Sequence, residues 1–239
     1  MSYLARSGWR QIEESVGYPP IVGYFLLSEG SRLWLPRNAI PVPSGIDLKR
    51  FLMQALTNEQ ARGWCERKAV SLSRDGYPYF DRHKPYSIAV DLPEKPYELV
   101  ALTNAVLPYS ESTPFQGALL WIRRFGVWGE VAERFGMRVV EAVRCMHGQR
   151  VTMDDAPASA FEEGELVDLH VSFLQPLLIG WDSFMIPDAA DYVVSTTHDG
   201  LTYVLSRTAQ THGRILAELE AWHPREDPHT YFEGLDIPH

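Results

Sequence analysis

Cysteine is nearly absent from this 239-residue chain, which holds only Cys65 and Cys145. Two thiols far apart, each within helix-forming sequence, exclude a disulfide scaffold and read as reduced, buried side chains of a reducing compartment. Long hydrophobic runs are missing as well. Near the start, Ile21 to Leu27 follows Pro19-Pro20 and falls far short of the roughly 20 apolar residues that a membrane span requires. Neither a basic leader nor a small-residue cleavage site precedes it, so the expectation is a cytoplasmic protein that makes no use of a membrane. Lysine is scarce, at 4 residues against 18 arginines. That ratio matches a GC-rich bacterial genome, although arginine is also the cation suited to bidentate pairing and aromatic stacking.

The usual catalytic signatures are absent too. No GxxxxGK[ST] or GxGxxG stretch offers a phosphate cradle, and no GxSxG, HExxH or CxxC marks a serine hydrolase, zinc protease or redox centre. No internal repeat or low-complexity tract suggests a solenoid or a disordered linker. No cofactor is expected.

What is present is an uneven charge. Residues 1–150 carry 19 basic and 15 acidic side chains, a balance of +4, whereas residues 151–239 carry 3 and 16, a balance of −13. Two clusters hold most of this excess: Asp154, Asp155, Glu162, Glu163, Glu165 and Asp168, then Glu218, Glu220, Glu226, Asp227, Glu233 and Asp236. Such a field repels nucleic acid phosphates and attracts a basic partner. The change of sign near residue 150 also marks a weak subdivision, 1–150 and 151–239, within what otherwise reads as a single domain over 1–239.

Periodicity predicts an α+β fold, a mixed or mainly antiparallel sheet packed by five to six helices. Short strands are expected at 21–27 and 33–35, and Asp47 caps a helix through Leu48, Phe51, Leu52 and Leu56. A capping box, Thr57 with Gln60, opens the next helix to about Lys68. Strands follow at 87–92 and 118–122, with helices over 97–107 and 129–146. A helix from Phe161 to Leu178 is expected after an acidic loop at 152–160, and Pro176 should end or kink it. Residues 181–186 form a short strand. The β-rich runs 192–197 and 201–205 flank His198-Asp199-Gly200, and an Asp-Gly pair there signals a β-hairpin. A helix over 207–222 and an irregular tail complete the chain.

Four constellations suggest chemistry. Asp168, His170, Asp182, His198 and Asp199 combine carboxylate and imidazole groups suited to a divalent cation, with His170 or His198 handling protons. Asp47-Leu48-Lys49 with Asp91 or Glu94 resembles the acidic-basic spacing of a magnesium nuclease, although Asp47 also serves as the helix cap. Aromatic residues Phe115, Trp121, Phe125 and Trp128 lie beside Arg123 and Arg124, as in a stacking or cation–π site, and Trp121, Trp128 and Tyr86 would build an aromatic ligand pocket. Tyr77, Tyr79, Tyr86 and Arg82 occupy a Pro-rich loop with the composition of a binding surface.

The reading that combines these features is a non-catalytic interaction protein, an inhibitor, immunity-type protein or accessory subunit. Its docking surface comprises Asp154, Asp155, Glu162, Glu163, Glu165 and Asp168, with Tyr77, Tyr79 and Arg82, and its partner is a basic protein. The alternatives are a metal-dependent hydrolase built on the Asp/His cluster and a small-molecule binder with the aromatic pocket.

Overall fold

A computed structural model describes residues 53–80, 86–108, 114–125 and 130–226. All of them fall in a unit that runs from Asp47 to His239. The strands expected at 21–27 and 33–35, Asp47, Lys49, Arg82, Trp128, Asp227, Glu233 and Asp236 lie outside the described residues.

The chain is α+β, and its main sheet is antiparallel throughout. In chain order the described elements are β1 (Gln54–Leu56), α1 (Asn58–Arg67), β2 (Ser71–Leu72), β3 (Pro78–Tyr79), β4 (Tyr86–Asp91), α2 (Pro96–Val106), β5 (Gly117–Arg124) and α3 (Glu130–Met146). They continue with β6 (Ala158–Glu162), α4 (Leu166–Ile179), β7 (Asp182–Pro187), β8 (Tyr192–Thr196), β9 (Leu201–Ser206), α5 (Ala209–Glu218), a 3-10 turn (Glu220–Trp222) and β10 (Arg225–Glu226). Eight strands form one sheet in the order β1-β6-β5-β7-β8-β9-β4-β10, and β2 pairs with β3 in a separate small hairpin. Strands from both sides of residue 150 therefore share one sheet.

Side chains alternate across this sheet and feed two apolar layers. On one face Ile88, Val90, Leu120, Ile122, Met185, Val194 and Val204 meet Leu102 of α2, Val140 of α3, Phe173 of α4 and Ile215 of α5. On the other, Ala89, Leu119, Trp121, Phe184, Ile186, Val193 and Leu205 meet Ala61, Trp64 and Cys65 of α1. Coverage of both faces explains why every residue of β7 and β8 is buried. Close approach of α3 to α4 needs Gly136, where a β-carbon would collide with Ile179 and lie 2.9 Å from Trp181.

Several local expectations meet the structure directly. Thr57 and Gln60 form both hydrogen bonds of the capping box, the Thr57 amide donating to Gln60 Oε1 at 2.8 Å and the Gln60 amide to Thr57 Oγ1 at 3.2 Å. The turn at His198-Asp199-Gly200 joins β8 to β9, with Val194 opposite Val204.

Other expectations are corrected. The helix read through Leu56 does not reach it, because Gln54 to Leu56 pair with Ala158 to Ala160 as an edge strand. Phe161 and Glu162 likewise belong to β6, which pairs with Gly117 and Ala118, so α4 starts only at Leu166. Gln54 to Leu56 thus leave the expected helix, and β6 takes Ala158 to Ala160 from the expected acidic loop and Phe161 and Glu162 from the expected helix. Pro176 does not end the helical run, which continues to Ile179, and Gly180 then closes it in the left-handed conformation. Cys145 is exposed, not buried, while Cys65 is buried; both are free thiols. The region read as tail supplies β10, paired with Ile88 and Ala89 of β4. No helix among the described residues is long and apolar enough to cross a membrane.

Candidate functional site

The acidic run splits by burial. Asp154, Asp155, Glu162 and Glu163 are exposed, whereas Glu165 is buried. Strand alternation and the turn at Gly164 point Glu165 inward, where its carboxylate accepts hydrogen bonds from the Met53 amide and, at 2.7 Å, from the Glu162 amide. His147, just past α3, sits between two carboxylates, with Nδ1 3.2 Å from Glu165 and Nε2 3.1 Å from Asp168. A carboxylate only accepts, so the hydrogen bond to Asp168 is donated by His147 Nε2. Glu165 is therefore removed from the expected docking surface, and the carboxylate of Asp168 is engaged by an imidazole. His147 lies just past the end of the helix expected over 129–146. Its partners lie on the next helix, and no local signal announces them.

A second polar cluster lies at one end of β5 and β7. Asp182 shares a sheet face with Phe184, two residues on, and is buried. Its Oδ1 accepts from the His198 amide at 2.8 Å and lies 2.9 Å from His198 Nδ1. A carboxylate only accepts, so Nδ1 carries the hydrogen and Nε2 is left toward Asp199, 3.6 Å away. Tyr77, from the turn between β2 and β3, packs edge-on against Phe184 and places its hydroxyl 3.5 Å from Asp182 Oδ2.

Beside this cluster, Arg123 is the extra residue of a β-bulge. Ile122 pairs with Ser183 and Arg124 with Asp182, so two steps on β5 match one on β7. The Arg123 guanidinium stacks 4.7 Å above the Trp121 ring and donates to the Asp75 carbonyl at 2.7 Å. Burial and the neighbouring Arg62 cation both lower its pKa from the ordinary arginine value. Asn58 Oδ1 accepts from Trp121 Nε1 at 3.0 Å and from Arg123 Nη1 at 3.4 Å.

Of the five expected metal ligands, the structure joins Asp182, His198 and Asp199 and separates them from the other two. Asp168 and His170 ride on α4, which covers the opposite face of the sheet from Tyr77 and Asp182. His170 Nε2 is buried without a partner, and burial lowers its pKa. Among the described residues no three His, Cys, Asp or Glu side chains gather into a metal-holding set. Asp91 pairs with Arg225 at 2.9 Å.

The aromatic pocket is also taken apart by sheet alternation. Trp121 is fully buried against Phe184, while Tyr86 meets His212 on the face covered by α5. Tyr77 and Tyr79 are half-buried.

Comparison of the chain with protein-family models, curated protein sequences and solved structures finds no match.

Proposed function

We propose that the protein is a non-catalytic interaction module that presents the exposed carboxylates of its 154–163 segment to a basic protein partner. The observation that supports this reading is that Asp154, Glu162 and Glu163 are exposed with no cation paired to them among the described residues. Glu162 and Glu163 also line an open cleft of about 620 Å³ with Trp64, Gln116 and Asp188, at the sheet edge formed by β1 and β6. Asp188 is paired with Lys68 at 2.7 Å and Trp64 is buried, so Glu162 and Glu163 supply the long-range attraction of this edge. The partner's contribution is lysine or arginine, and association is salt-sensitive. Recovery of a basic protein by pull-down from the native host at low salt, and its loss on Glu162→Lys with Glu163→Lys, is the expected outcome. Capture unaffected by those reversals rules the surface out.

A second reading is favoured by the Asp182–His198 hydrogen bond. In a hydrolase, Asp182 would orient the imidazole and His198 Nε2 would handle the proton or, with Asp199, hold a metal ion. Elemental analysis of purified protein, together with hydrolysis assays on wild type and His198→Ala, tests it. Metal-free protein with no activity above the variant removes this reading.

A further inference from the structure

Arg62 and Arg123 bring two cations together without an ion pair to any described residue, the charge of Asp75 acting on Arg123 only from farther off. Arg62 Nη2 lies 2.9 Å, and Arg123 Nη2 3.2 Å, from the point a β-carbon on Gly76 would occupy. Gly76 has φ +82°, so the hairpin tip between β2 and β3 passes closely over both guanidiniums without a side chain. Neither guanidinium lies within 4.0 Å of a carboxylate of a described residue. Arg123 bonds instead to a backbone carbonyl and to the neutral Asn58 side chain, and its Nε is buried without a partner. Two like charges in a partly desolvated place repel one another.

The local architecture holds the pair in position nonetheless. The bulge in β5 aims Arg123, the Trp121 ring supports it from below, and Arg62 stands on α1, anchored through the capping box. Arg62 also borders an open cleft of about 570 Å³ with Glu66, Val70, Leu72 and Tyr79, roomy enough for an organic group beside the cations. We propose that Arg62 and Arg123 form the anion subsite for a small phosphate monoester, with both guanidiniums attracting the phosphate and the organic body in the cleft that Arg62 borders. Planar guanidiniums match the oxygens of phosphate, and each contact is charge-assisted. The site uses none of the carboxylates of the 154–163 segment.

Isothermal titration of the full chain at low ionic strength, with inorganic phosphate and with phenyl phosphate, tests the assignment. The expected result is one site per chain, tighter for phenyl phosphate, and weakened roughly 10- to 100-fold by Arg62→Ala or Arg123→Gln. Arg62→Glu supplies the missing counter-charge, so it should abolish phosphate binding while raising the melting temperature. This variant keeps the test decisive if Arg123→Gln fails to fold. Three results overturn the proposal: no saturable binding by wild type, equal affinity for the two probes, or an equal loss on Arg138→Ala at an exposed position of α3.

Discussion

Replacing Glu165 with glutamine changes one oxygen for an NH₂ group and leaves the volume unchanged. In the native protein one carboxylate oxygen receives the Met53 amide and lies 3.2 Å from His147 Nδ1, and the other receives the Glu162 amide. A glutamine has one accepting oxygen, so whichever way it turns, a backbone N–H of Met53 or Glu162 faces a donor. An orphaned buried donor costs about 1–3 kcal/mol, and the surviving bonds fall from the charge-assisted range of about 1.5–3 kcal/mol to about 1 kcal/mol each. The expected loss is about 2–4 kcal/mol. Met53 leads into the edge strand β1, so the damage should spread to the pairing of β1 with β6. Urea unfolding followed by tryptophan fluorescence measures the effect, and Glu163→Gln is the control. Glu163 is exposed and close in sequence, and its substitution should move stability by less than about 0.5 kcal/mol. Equal, small effects at the two positions would refute the reasoning, because they would show that the buried carboxylate is not needed as a double acceptor.

Arg144, 1% exposed, donates to Ser159 Oγ and the Ala158 carbonyl, and burial lowers its pKa to about 10. Arg144→Met should cost about 2 kcal/mol by orphaning those acceptors, and hydrogen exchange should rise first in β6. Burial raises the Cys65 thiol from 9.0 to about 12. A raised folded pKa means stability is complete below pH 9 and is lost as pH rises toward 12, so Cys65→Ala should flatten the alkaline slope by up to about 1.4 kcal/mol per pH unit in urea titrations. For His170 the folded pKa is depressed by burial, which places the loss on the acid side. Stability should fall as pH drops below about 6.5, and His170→Leu should remove that part of the acid sensitivity in thermal melts.

Local chemistry was readable from the residues alone. Thr57 and Gln60 announce a helix start because their hydrogen bonds span three residues, and the Asp199-Gly200 turn follows from dihedral preferences that need no tertiary partner. Hydrophobic periodicity likewise located α2, α3 and α5 and supplied the α+β class, and counting charges gave the split between the two parts of the chain. Short strands were not readable. Nothing within Gln54–Leu56 or Ala158–Glu162 distinguishes a strand from a helix end until the two segments pair with each other, about a hundred residues apart in sequence. The same holds for the polar clusters. Glu162, Glu163 and Glu165 are equivalent in composition, and only the fold buries one and leaves two in water. Asp168 and Asp182 share a sequence neighbourhood, yet the sheet between α4 and Tyr77 sends them to different faces and to different histidines. Charge and local hydrogen bonding are properties of neighbours along the chain. Convergence of side chains, of Arg62 on Arg123 as of His147 on Glu165, depends on which strands pair and which face each residue takes, and the tertiary structure alone decides that.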